Sequence, residues 1–240
     1  MSAEPWWITS LLVAGTFAAG ALAWYGADRV ARRALPGRSA TALSLGIALF
    51  LGAWWAAAFA LGVGGYFQAG PGTRVPPVAG ALVPFAVGLL APSVWPAFRK
   101  VVDAVPLDWL IGVQVIRVLG GLFLVQHLRG TLPGEFAWPA GVGDLLVGLT
   151  AIPVARLCRA GHPSAWGAAV AWNLLGIADL VLAVTLGVLT APGPFHALAL
   201  DAPNLTIAAF PDVLVPAFAV PLWLQLHFYT LRRLVGRRRG

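Results

Sequence analysis

Long apolar runs broken by short polar punctuation set the pattern of this chain. Seven of them reach the roughly 17–25 residues that a helix needs to cross a bilayer. They extend from Trp6 to Ala27, Ala40 to Tyr66, Val75 to Phe98, Pro106 to Leu128, Pro139 to Leu157, Ala165 to Leu189, and Pro211 to Leu231. The connections are short and rich in turn residues: Leu35-Pro36-Gly37-Arg38, Gly70-Pro71-Gly72, Leu132-Pro133-Gly134 and Ala191-Pro192-Gly193-Pro194. The pattern predicts an all-α integral membrane protein, a bundle of about seven transmembrane helices. It forms one polytopic domain over residues 1–240, ending in a basic cytoplasmic tail at 232–240. The first run is expected to be a retained helix, because Glu4 precedes it where a signal peptide carries base, and the arginines come after it.

Composition supports lipid as the solvent. Hydrophobic residues make up 59% of the chain and charged ones 10%, against about 25% charged in a soluble domain. A soluble chain of this length could not hide so much apolar surface. The glycines and prolines fit the same picture, since both are frequent in membrane helices.

The net charge of +7 is topological information. Of 16 basic residues, 13 lie in loops on alternate sides of the runs or in the tail: Arg29, Arg32, Arg33, Arg38, Arg99, Lys100, Arg156, Arg159, Arg232, Arg233, Arg237, Arg238 and Arg239. The opposite side has only Arg74 and Arg129. By the positive-inside rule the N-terminus is outside and the C-terminus cytoplasmic, in an inner membrane. Trp6, Trp7 and Trp138 then fall at outer ends, and Trp24, Trp95, Trp109 and Trp166 at inner ends, where an amphipathic ring prefers the headgroup level. The expected partners are the bilayer and either other membrane subunits or a second copy, not nucleic acid.

Candidate chemistry is sparse. A single cysteine, Cys158, excludes an internal disulfide, and no histidine spacing suits a metal. His127, Glu135, His196, Asp201 and Asp212 read as solvated loop polarity, and His227 as an interfacial residue. No P-loop, GxSxG or GxGxxG motif occurs, and no cofactor is implied.

Three ionisable residues cannot reach an interface: Arg117, Asp144 and Asp179. Each costs about 2.5–3.5 kcal/mol at mid-helix, so they are expected to face inward and find partners. Asp179 shares a helix face with Ala169, Trp172, Gly176 and Ala183, and Asp144 with Gly141, Gly148, Ala151 and Ala155. Such small-residue faces let helices approach closely. Gln114, Arg117 and Gly121 share a face, with Gly120 beside it. At 1.5 Å per residue, Arg117 and Asp179 lie about 16 and 15 Å from their outer ends. They are therefore paired. Asp144, counted from Pro139, lies about 8 Å down, a layer above the pair and within reach of the long Arg117 side chain.

The binding site expected from these counts comprises Arg117, Asp144, Asp179, Gln114 and Asn173. With one carboxylate in excess, the cluster suits solute or proton binding and transport. The alternative is a non-catalytic structural or accessory subunit, in which the same charges only fix helix packing.

A third alternative comes from Gly141-Val142-Gly143-Asp144, which spells GxGD. The motif resembles that of the presenilin and signal-peptide-peptidase type of intramembrane aspartyl protease. That resemblance implies a second catalytic aspartate upstream at the same depth, and a Pro-Ala-Leu motif near the last helix. Here the upstream residue is Asp108, within Leu107-Asp108-Trp109, about 20 Å from Asp144 along the membrane normal. Leu214-Val215-Pro216-Ala217-Phe218 echoes the other motif.

Overall fold

The computed structural model describes residues 4–68, 79 and 81–236. The Gly70-Pro71-Gly72 turn, Arg74, the start of the third run and Arg237 to Arg239 lie outside the described residues.

The described residues are mainly helical, with no strand among them. The helices are α1 (Trp6–Ala34), α2 (Gly37–Val63), α3 (Leu82–Val94), α4 (Pro96–Ala104), α5 (Leu107–Leu128), α6 (Gly134–Arg159), α7 (Ala165–Thr190) and α8 (Val220–Gly236). Five of them, α1, α2, α5, α6 and α7, are long and apolar enough to cross a membrane, or six if α3 and α4 are counted as one bent span.

The two remaining runs are broken where proline requires it. Trp95, held extended ahead of Pro96, ends α3, and α4 leaves at 98°. The run from Pro211 enters as turns, widens through a π-wound stretch at Val215–Ala219, and becomes regular only in α8. The middle of α5, Val113–Gly121, is wound as a 3₁₀-helix.

Proline also leaves carbonyls without a donor, and neighbouring helices supply one. Pro92 has no N–H for the Gly88 carbonyl, which accepts instead from the Tyr229 hydroxyl of α8. Pro221 likewise cannot serve the Ala217 carbonyl, which accepts from Trp54 Nε1 of α2 at 2.9 Å. The backbone defects of α3 and α8 thus become inter-helix bonds. Tyr229→Phe should cost about 1–3 kcal/mol by stranding a buried carbonyl. The cost should largely vanish against Pro92→Ala, which restores the N–H, in a double-mutant cycle read by thermal unfolding in detergent. Equal costs in both backgrounds would rule the explanation out.

Helices α1 and α2 are tied where Asp28 meets Arg32 at 2.9 Å and accepts from Ser44 Oγ at 2.6 Å. Helix α4 is pinned to α8, because Arg232 forks onto both oxygens of Asp103 at 2.7 and 3.1 Å. That bond holds the Asp103 carboxyl below the usual carboxylate range. Helices α5, α6, α7 and α8 enclose the charged residues, with α1 packed against the 3₁₀ stretch.

Candidate functional site

Arg117 projects from the 3₁₀ stretch into the space between α6, α7 and α8, and all three of its nitrogens are engaged. Nε donates to Asp144 Oδ1 at 2.7 Å, Nη2 donates to Asp179 Oδ2, and Nη1 meets His227 Nε2 at 3.2 Å. Arginine has only donors, so His227 Nε2 must accept and its proton sits on Nδ1. Nδ1 then donates to Asn173 Oδ1 at 2.8 Å, and Asn173 Nδ2 donates to the Ala169 carbonyl at 2.6 Å. The chain of bonds runs from two carboxylates through a guanidinium, an imidazole and an amide into the backbone of α7. Trp172 closes it from the side, its ring 5.1 Å from the imidazole.

Backbone makes room for this assembly where side chains are missing. A Cβ at Gly143 would overlap Asp179 Oδ1, and one at Gly120 would overlap the Asp144 carboxylate. At Gly176 it would meet the His227 ring. The 3₁₀ winding explains the second of these. It eclipses residues three apart, so Gln114, Arg117 and Gly120 stand in single file. The sequence spacing instead grouped Gly121 with Arg117, as an α-helix would.

Two placements differ from the sequence-based expectation. Asp144 is not a layer above the pair but beside Arg117. Helix α6 begins at Gly134 and runs through Pro139, which puts Asp144 ten residues, about 15 Å, into the helix. His227 is not interfacial. It is fully buried, because the turns before α8 use up chain and α8 continues to Gly236, nine residues or about 13 Å beyond it.

The other expected residues fall as follows. Asn173 joins the cluster only through His227. Gln114 is fully buried one 3₁₀ turn from Arg117, and neither of its amide atoms has a partner among the described residues. Asp108 is not brought to Asp144; its carboxylate lies 3.6 Å from Arg159. Asp144 and Asp179 have a guanidinium between them, not a shared proton. Asp212, expected in solvated loop polarity, is buried.

Two cavities reach the cluster. One of about 40 Å³ touches Arg117 and Asp144 beside Thr16 and Trp223, which is room for at least one water. The other, about 650 Å³, is walled mainly by apolar groups such as Phe85, Phe136, Val184 and Pro221, and among the described residues Asp144 is its one acidic member. Asp144 is also the most accessible member of the trio, its side chain 15% exposed against 7% for Asp179 and 1% for Arg117. No group of three or more His, Cys, Asp or Glu side chains able to hold a metal occurs among the described residues.

Fold and site together define an all-helical protein with apolar helices of membrane-crossing length around a buried ion cluster. Residues 75–235, which are 161 of the 240, match the family described as a domain of unknown function, DUF8737, and the chain belongs to it. The matched span contains every member of the cluster. No curated protein and no solved structure matches the chain.

Proposed function

We propose that the protein is a multi-pass membrane protein that binds a proton or a cationic, otherwise apolar solute at Arg117, Asp144 and Asp179, and carries it across the bilayer. The observation that carries this reading is the cavity of about 650 Å³ with Asp144 on its wall. With both carboxyls ionised, the two face one guanidinium and a neutral imidazole, which leaves the cluster one positive charge short. An occupant supplying that charge would place its apolar body against the cavity wall. The smaller space, with room for a water, would offer a proton a second approach.

A lipid setting is supported by large apolar side chains turned outward, among them Leu49 at 63%, Leu90 at 60% and Leu149 at 64% exposure. Within this reading α3 and the run leading into α8 complete seven crossings. The N-terminus lies outside and the basic C-terminus in the cytoplasm, in an inner membrane.

The test is binding of a radiolabelled lipophilic monoamine to detergent-purified protein. Asp144→Asn should lower affinity at least about tenfold, the loss expected when a charge-assisted contact is removed. Unchanged affinity in a folded variant would refute the site.

A second reading, a subunit packing against other membrane helices or a second copy, is favoured by α2. There Gly52, Ala56 and Ala60 recur every four residues on an exposed face, and a Cβ at Gly52 would touch nothing. If the wild type binds no monoamine and takes up no proton in liposomes, this reading replaces the first.

A further inference from the structure

A second polar cluster lies at the end of the bundle where α1 begins. Gln126, fully buried near the end of α5, donates Nε2 to Asp212 Oδ1 at 2.8 Å and to Glu4 Oε1 at 3.2 Å. One amide nitrogen therefore bridges two carboxylates from opposite ends of the chain. Thr131 Oγ1 also donates to Glu4 Oε1, at 3.4 Å.

What remains is one-sided. Glu4 Oε2, Asp212 Oδ2 and Gln126 Oε1 are all buried with no partner among the described residues. All three are acceptors. Asp212 is 1% exposed and Gln126 0%, so bulk water does not satisfy them. Two carboxyl groups and an amide carbonyl, with no basic side chain among their partners, form an oxygen-only donor set, of net charge −2 when both carboxyls are ionised. Such a set suits a hard cation that accepts carboxylate and carbonyl oxygens. It does not suit zinc, which prefers nitrogen and sulfur ligands.

We propose that Glu4, Asp212 and Gln126 hold a hard divalent cation, with Ca²⁺ as the best fit because it tolerates irregular oxygen geometry. The cation would tie the residue preceding α1 to the turns that lead into α8. Those turns are already fastened to the bundle end, by Thr206 Oγ1 on the Thr131 carbonyl at 2.6 Å and by Asn204 N on the Thr190 carbonyl at 2.9 Å. This site shares no residue with the Arg117 cluster and does not depend on its reading.

The experiment is thermal unfolding of the EDTA-stripped full chain in detergent, titrated with CaCl₂, MgCl₂ or choline chloride at matched ionic strength. Ca²⁺ should raise Tm saturably, by about 5 °C or more at a hundred times its Kd, and choline should not. Glu4→Gln and Asp212→Asn should each move the titration midpoint to higher Ca²⁺ by about an order of magnitude, since ligand charge sets affinity. Glu4 is half-buried and precedes α1, so its variant serves if Asp212→Asn does not fold. No saturable rise with either metal, or a rise whose midpoint Glu4→Gln leaves unmoved, overturns the proposal. A Tm that is metal-independent and higher in Glu4→Gln would show instead that the two carboxyls share a proton.

Discussion

Replacing Arg117 by methionine should cost about 3–5 kcal/mol, because it leaves two buried carboxylates without their counter-charge. It also removes the donor to His227 Nε2. For a chain of this size that corresponds to a fall in Tm of about 6–20 °C in detergent. The triple change Arg117→Met, Asp144→Leu, Asp179→Leu should recover most of it. Replacing a whole buried ion group by apolar residues is commonly neutral, or stabilising by about 1–4 kcal/mol. The two results separate stability from function. A triple variant as stable as wild type but unable to bind a lipophilic amine would mean that the charges are kept for their chemistry. If Arg117→Met unfolds at the wild-type temperature, the guanidinium does not neutralise the carboxylates, and the cluster described above is wrong.

The second large effect is expected at Gly143. Helix propensity alone says that Gly143→Ala should stabilise α6 by about 1 kcal/mol. The packing says the opposite, since the new Cβ would overlap Asp179 Oδ1. Either α6 and α7 separate, at the roughly 1–3 kcal/mol typical of overpacking, or Asp179 gives up its bond to Arg117. Both outcomes exceed the propensity gain, so Tm should fall. Gly167→Ala on α7 is the control, because its Cβ meets nothing and only the propensity gain remains. A rise in Tm for both variants would show that the space at Gly143 is not what admits Asp179.

The GxGD spelling has a physical account in these terms. Asp144 supplies one carboxylate, and Gly143 supplies the gap through which a second one, from α7, reaches the same arginine. The motif brings two acids to one cation.

Much of the framework was legible because hydrophobic length and turn residues define helices α5 and α7 to within a residue of their ends and α2 to within three, whereas α1 runs seven residues past its apolar run and α6 starts five residues before its own. Arg117 and Asp179 could be matched in depth by counting residues, since both sit in helices whose outer termini, Leu128 and Thr190, are clear. Asp144 was misplaced because Pro139 looked like a helix start, whereas the helix accepts proline at its sixth position and begins at Gly134. His227 was missed for a related reason. Three prolines at 211, 216 and 221 hide where regular helix begins, so depth counted from Pro211 put the imidazole at the interface. A count back from Gly236 would have placed it at mid-height. Asp212 was read as solvated since nothing in its local sequence announces Gln126, which is distant in the chain and adjacent in space.

The 3₁₀ stretch of α5 also has a mechanical consequence. Nine residues rising about 2.0 Å each are some 4.5 Å longer than the same residues at 1.5 Å. Each also turns about 120° where an α-helical residue turns 100°, so rewinding all nine would swing one end of α5 by about half a revolution against the other. Arg117 lies at the centre of that stretch. Length and phase are exchangeable at the position where two acids, an imidazole and a cavity converge, so a change of pitch there would re-aim the guanidinium and oblige one end of the helix to shift and turn against its neighbours.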